Sequence, residues 1–162
     1  MTNGIKVKKR NGRGTESLNL EKMHKMVEEA IKGLAGVSAS QVEITSGIQF
    51  YDGITTGEIQ EILIRSASDL IDLDHPNYQF VAARLLLFAL RKSLYGKMRE
   101  LPHLENHIYD CVNKEVYDAG LYDKYSKEDI EKANGYIDHD RDFLFTYAAV
   151  SYTHLTLPTI LL

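Results

Sequence analysis

The sequence predicts a mainly α fold in which a small N-terminal β-hairpin caps a four-helix bundle and a short helical segment follows. Three observations carry this prediction. Residues 7–18 read as two short strands around a glycine-bearing loop. Four apolar-periodic stretches between residues 20 and 96 each carry helix start or stop signals. Beyond Gly96 the composition turns acidic. At 162 residues the chain can bury one ordinary core, with room for a small second unit.

Each element has a local reason. Val7, Lys8, Lys9 and Arg10 read as a strand, Asn11 to Thr15 as a loop with glycine at 12 and 14, and Glu16 to Leu18 as the return strand. Asn19 is placed to cap a first helix, because its side-chain oxygen can accept from one of the free N–H groups at the helix start. Met23, Val27, Ala30, Ile31 and Leu34 form one apolar stripe on that helix, with Gly36 as the stop. Ser38 or Ser40 opens the second helix, which carries Val42 and Ile44 toward an Asp52-Gly53 turn. Thr55 and Glu58 form a capping box before the third, with Ile59, Ile62, Leu63, Ala67, Leu70 and Ile71 on its buried side. His75-Pro76-Asn77 breaks the chain. The fourth helix runs from Tyr78 to about Tyr95, burying Tyr78, Val81, Ala82, Leu85, Phe88 and Ala89, and ends at Gly96. Later helices are expected at Leu104 to Tyr117 and, capped by Ser126 with Asp129, at Lys127 to about Asn134.

Charge is unevenly distributed. The net charge is −4, yet residues 1–97 carry 13 Lys and Arg against 11 acids, and residues 98–162 carry 6 against 12. Lys6, Lys8, Lys9, Arg10 and Arg13 all precede the first acid. A patch of this size beside a helix N-terminus suits one polyphosphate better than a nucleic acid duplex, which needs a larger basic surface. Lysines on an edge strand also keep sheets from pairing with one another, and spacing alone does not separate the two readings. The P-loop and dinucleotide fingerprints are both missing, so a nucleotide site here is of another type. Phe88 and Lys92, four apart, share a helix face where an adenine could pack on the ring while the ammonium reaches phosphate; plain core for Phe88 and a snorkelling role for Lys92 are the alternative. The apolar content of 44%, the single cysteine and the lack of a leader or membrane-length apolar run fit a soluble protein of a reducing cytoplasm.

Four segments together resemble a known family. VKKRNG, LNLEKMHK, SASQVEITSGIQFYDGITTGEI and YQFVAARLLLFALRKSLYG resemble the ATP-cone at the N-terminus of the large subunit of class I ribonucleoside-diphosphate reductase. Tyr136 to Val150 looks like the opening of that enzyme's catalytic portion, so the likeness runs from about Ile5 to Val150. It implies four parts: a disordered N-terminus at 1–4, an ATP-cone regulatory domain at 5–96, the truncated helical start of the catalytic portion at 97–150, and a tail at 151–162. The catalytic start is expected to pack poorly by itself. The tail, SYTHLTLPTILL, reads as non-native sequence of the kind left by sequencing-adapter read-through, with a genuine short strand as the other reading.

The resemblance also implies a site. Lys9 and Arg10 are expected to bind phosphate oxygens, Lys22 and Lys92 to complete a cationic ring, and Glu16 and Asn19 to meet the sugar or base edge. Val7, Leu18, Met23, Ile59 and Phe88 would wall the adenine, and Thr56 would meet the nucleotide through its hydroxyl or backbone N–H. The effector implied is ATP or dATP, with Mg²⁺ able to accompany the phosphates. In the parent enzyme the partners are another large subunit and the radical-generating small subunit, with no nucleic acid and no membrane. Two departures stand out: the loop Asn11 to Thr15 is one residue longer than the common form, and Gln60 stands where the family often has His.

Catalysis is not expected from this chain alone. The parent's thiyl-radical chemistry needs several cysteines, and only Cys111 is present. His103, His107 and Cys111 recur every four residues, but three ligands over two turns span about 12 Å, too far for one ion. Asp138, Asp140 and Asp142 read as a solvated or salt-bridged loop, and no metal is assigned. Two other functions compete with the regulatory domain: the ATP-cone of a nucleotide-sensing transcriptional repressor, whose preceding four-cysteine zinc ribbon has no counterpart here, and a helical interaction module without a ligand.

Overall fold

The computed structural model describes residues 4–9 and 14–155. The expected N-terminal segment therefore lies outside the description except for Gly4. Arg10 to Arg13 and tail residues 156–162 lie outside it as well.

Two strands, β1 (Lys6–Lys8) and β2 (Thr15–Ser17), pair antiparallel with Val7 opposite Glu16. Both lie a residue earlier than the sequence predicts. The reason is the far edge of β1, which is tied to the turn before the third helix. Lys6 N–H donates to Asp52 Oδ1 at 2.8 Å, Gly53 N–H to the Lys6 carbonyl at 2.8 Å and Lys8 N–H to the Ile54 carbonyl at 2.8 Å. Gly53 holds φ +85°, a conformation that favours glycine, so the Asp-Gly turn can present its backbone to the strand. This register turns Val7 into the core, where it is 3% exposed.

The bundle comprises α1 (Leu20–Ile31), α2 (Ala39–Gly47), α3 (Thr56–Asp69) and α4 (Tyr78–Tyr95). The predicted caps are present. Asn19 Oδ1 accepts from Lys22 N–H at 2.9 Å, Ser38 caps α2, and Thr55 with Glu58 closes a complete capping box. Helix α1 stops at Ile31, earlier than Gly36 implied, because Gly33 already adopts φ +75°. Ile71 is exposed, contrary to its expected place on the buried side of the third helix, because α3 has ended before it, and Ile44 lies on the outer face of α2.

Helix α4 is apolar nearly all round because it is covered on two sides. Tyr78, Val81, Ala82, Leu85 and Phe88 enter the bundle core, while Ala83 and Leu87 face Val150. Gly96 ends the helix at φ +72°.

The acidic half holds α5 (Leu104–Asn113), α6 (Leu121–Lys124), α7 (Lys127–Gly135), a 3-10 turn at His139–Leu144 and α8 (Tyr147–Leu155). Helix α5 ends before the predicted Tyr117, and Glu115 takes a positive φ just beyond it. The expectation of poor packing fails at Phe143, Tyr147 and Val150, while Leu144 and Phe145 stay exposed. Phe143 meets Phe88 edge-on at 5.9 Å between centroids, and the Arg84 and Arg91 guanidinium groups lie 5.8 and 5.0 Å from the Phe143 ring centre. Arg91 Nη2 donates to Asp142 Oδ2 at 2.6 Å and to the His139 carbonyl at 3.1 Å. Aromatic and guanidinium surface thus joins the aliphatic contact of Val150 with Ala83 and Leu87 in holding this segment. Helix α8 continues unbroken from Val150 into Ser151, the first residue of the expected tail.

A pH-dependent contact joins α1 to α2. His24 Nδ1 lies 2.7 Å from Glu43 Oε1 and Nε2 lies 3.2 Å from Glu28 Oε1. The bond to Glu43, and then the charges of Glu28 and Glu43, raise its pKa above the ordinary histidine value. A raised folded-state pKa contributes stability that is fully present below the unfolded value of about 6.5 and is lost as pH climbs through the folded one. Thermal melts of His24→Gln against the parent chain should therefore show a larger deficit at pH 6 than at pH 8.5. An equal deficit at both would count against the ion pair.

Candidate functional site

Five elements enclose a cleft of about 500 Å³ between the hairpin, the face of α1 from Lys22 to Glu29, the first turns of α3, the C-terminal half of α4 and the stretch after Gly96. That volume suits a small organic ligand. Val7, Met23, Met26, Ile59 and Phe88 make an apolar floor, each at most 9% exposed. Four cations, Lys22, Lys25, Lys92 and Arg99, stand around it with two carboxylates, Glu16 and Glu29. The first turns of two helices border it, through Asn19, Lys22 and Met23 on α1 and Thr56 on α3. Free backbone N–H groups and helix dipoles there favour an anion.

The structure brings together Val7, Glu16, Leu18, Asn19, Lys22, Met23, Thr56, Ile59, Phe88 and Lys92 from the residues expected at the site. Lys9 does not line the cleft itself but stands against it, its ammonium paired with the wall carboxylate Glu16 Oε2 at 3.0 Å. Arg10 lies outside the described residues. Three chemical details refine the expectation. Phe88 is 1% exposed with an aromatic neighbour behind it, so it can serve as floor but cannot offer an open face for stacking. Asn19 spends its side-chain oxygen on the cap, leaving the amide N–H₂ as the group it can turn to a ligand. Glu16 is held below the ordinary carboxylate pKa, first by its bond with Lys9 and further by the Lys9 and Lys22 charges. It is therefore an ionised acceptor at neutral pH, suited to a hydroxyl or an exocyclic amine.

Sequence reading missed Lys25, Met26, Glu29, Met98 and Arg99, and treated Gln60 only as a departure. A signal existed for the first three, because Lys22, Lys25, Met26 and Glu29 stand at i, i+3, i+4 and i+7, one helical stripe beside the apolar one. Gln60 is 5% exposed, with Nε2 4.0 Å from Met26 Sδ. No comparable signal marks Met98 and Arg99, which reach the cleft only because the left-handed Gly96 turns the chain back.

The family model for the ATP cone domain matches residues 5–93. The chain belongs to the ATP-cone family. It is also 47% identical over 150 residues to ribonucleoside-diphosphate reductase 1 subunit alpha of Escherichia coli (strain K12), covering 93% of this chain and 19% of that one. Identity to ribonucleoside-diphosphate reductase subunit alpha of Haemophilus influenzae is 47% over 150 residues, covering 93% and 20%. The namesake from Enterobacteria phage T4 is 40% identical over 136 residues, covering 83% and 18%. The chain thus spans about a fifth of the length of these relatives. The ATP-cone match stops at 93, while the cleft extends to Met98 and Arg99, so the segment after the cone completes its wall.

Five of the six potential ligands of the acidic half have partners for their side chains. His103 Nε2 is 3.2 Å from Glu131, and His107 stacks edge-on between Tyr95 and Tyr117 with Nε2 3.6 Å from Cys111 Sγ. Asp138 caps the 3-10 turn and Asp142 pairs with Arg91. No helix among the described residues is long and apolar enough to cross a membrane.

Proposed function

We propose that this chain is an allosteric adenine-nucleotide domain, binding ATP or dATP, that regulates overall activity of a ribonucleotide reductase large subunit in cytoplasmic deoxyribonucleotide synthesis. The observation that supports the reading is the cleft itself: an apolar floor on which a base could lie, an ionised acceptor for sugar or base at Glu16, and cations with two helix starts for a polyphosphate. Lys22 and Lys92 would hold phosphate oxygens, joined by Lys9 and Arg10 from the hairpin, and Mg²⁺ can accompany the phosphates. Val7, Leu18, Met23, Ile59 and Phe88 would bound the adenine, and Asn19 and Thr56 would meet it or the ribose. Residues 5–96 form the regulatory unit in this reading. Residues 97–150 lead toward a catalytic portion that pairs with a second large subunit and a radical-generating small subunit, and 151–162 are foreign to the native protein. With Cys111 as its single cysteine the chain would bind nucleotide without reducing it.

A ligand that binds only the folded state stabilises it by RT ln(1 + [L]/Kd), about 2.7 kcal/mol at a hundredfold excess over Kd. ATP or dATP should therefore raise the melting temperature by several degrees and give saturable heat in calorimetry. Lys92→Ala should lose most of that rise, because charge-assisted phosphate contacts are worth about 1.5–3 kcal/mol. Absence of both heat and melting shift at millimolar nucleotide, on protein with native helical dichroism, would overturn the reading.

A further inference from the structure

The two carboxylates of the cleft are each matched with a cation, one pair on the hairpin and one joining α1 to the stretch after Gly96. Glu16 on the hairpin holds Lys9 at 3.0 Å. Glu29 on α1 meets the Arg99 guanidinium across 70 residues of chain. Arg99 lies beyond the stretch matched to the ATP cone and within the connection from Gly96 to α5. Met98 beside it packs against the bundle core. The side chain of Arg99 is 55% exposed, so it has room to change partner, and it borders the same cleft as Lys22 and Lys92.

We propose that Arg99 is a further polyphosphate ligand of the cleft and that Glu29 is its resting partner, exchanged for phosphate when a nucleotide enters. This rests on the nucleotide reading above and extends it past the cone. The direction of exchange follows from chemistry. An exposed carboxylate pair is weak, since solvent screens it and two long side chains must be ordered. A guanidinium fork on a triphosphate makes paired charge-assisted bonds to a more highly charged acceptor, beside helix starts that already favour the anion. Released Glu29 can turn to Lys32, whose ammonium lies 4.0 Å away. Occupancy of the cleft would thereby change what holds residues 97–103 against α1, at the point where the chain leaves the regulatory unit.

The test is calorimetric titration of the whole chain with ATP and with AMP, in the parent and in Arg99→Ala, Glu29→Gln and Lys92→Ala. Arg99→Ala should weaken ATP about tenfold or more while leaving AMP nearly unchanged, a split that general damage to the fold would not produce. Glu29→Gln should tighten ATP several-fold by freeing the guanidinium and removing a carboxylate from beside the phosphates. That gain should shrink in the double variant. If Lys92→Ala weakens ATP while Arg99→Ala and Glu29→Gln both leave it unchanged, the exchange is wrong and the nucleotide site stands. If the folded parent binds no ATP, both fall. Glu29→Gln is close to isosteric and keeps the inference testable should Arg99→Ala fold poorly.

Discussion

Phe88→Ala should cost about 3–5 kcal/mol of unfolding free energy, the range for removing a large aromatic from a core that cannot collapse around the gap. Few residues in this fold are as poorly placed for replacement. The ring is 1% exposed, forms the floor of the cleft, and meets Phe143 edge-on from behind. Truncation removes the transfer energy of the ring, leaves a cavity open to the cleft, and strips Phe143 of its aromatic neighbour. Urea denaturation should show a fall in midpoint with little change in slope. Phe88→Leu, which keeps much of the volume, should lose clearly less. A loss below about 1 kcal/mol for Phe88→Ala would mean that the ring is not packed as described.

Arg91→Ala should come next, at about 2–3 kcal/mol, and its effect should be concentrated on residues 139–155. The Arg91 side chain is 8% exposed, lies over the Phe143 ring, and bonds both the Asp142 carboxylate and the His139 carbonyl. Breaking a buried pair by removing one partner typically costs about 3–5 kcal/mol. Asp142 is 36% exposed, so water recovers part of that and the expectation is lower. Hydrogen exchange is the decisive readout. Amides of the 3-10 turn and α8 should lose protection in Arg91→Ala while α3 keeps its own, because the arginine ties that segment to α4 and contributes little to the bundle. Asp142→Asn should reproduce a smaller version of the pattern, and a double-mutant cycle should return a coupling between the two residues. Equal loss of protection in α3 would show that the segment and the bundle unfold as one unit.

Much of the fold was legible because its signals are local. The Thr55/Glu58 and Ser126/Asp129 capping boxes, the Asn19 cap, the Asp-Gly turn and the left-handed Gly96 all stand where the sequence placed them. Each acts within three or four residues of itself, satisfying an orphan N–H or supplying a backbone conformation that other residues resist. Where local signals competed, the prediction slipped: both Gly33 and Gly36 can end α1, and the first to take a positive φ did. The strands slipped for another reason, since their register is set by bonds to residues 52–54, far away in sequence.

The candidate site divides the same way. That Val7, Leu18, Met23, Ile59, Phe88, Lys22 and Lys92 would meet followed from a family likeness running from about Ile5 to Val150, and they do line one cleft. Their individual states did not follow from it. Lys9 is drawn to Glu16, Phe88 is closed off by Phe143, and Arg99 arrives from beyond the cone to face Glu29.

The sequence by itself determined the kind, order and approximate extent of the hairpin, the four bundle helices, α5 and α7, and the charge of the N-terminal patch, because caps, turn residues and apolar periods report backbone free energies over a few neighbouring residues. Helix α6, the 3-10 turn and α8 went unsignalled. Only the tertiary structure decided which cations line the cleft, how its apolar floor is backed, and that the acidic segment docks through Arg84, Arg91, Phe143 and Val150. Those outcomes depend on which distant side chains come within bonding range once the helices pack, and no local pattern along the chain encodes that distance.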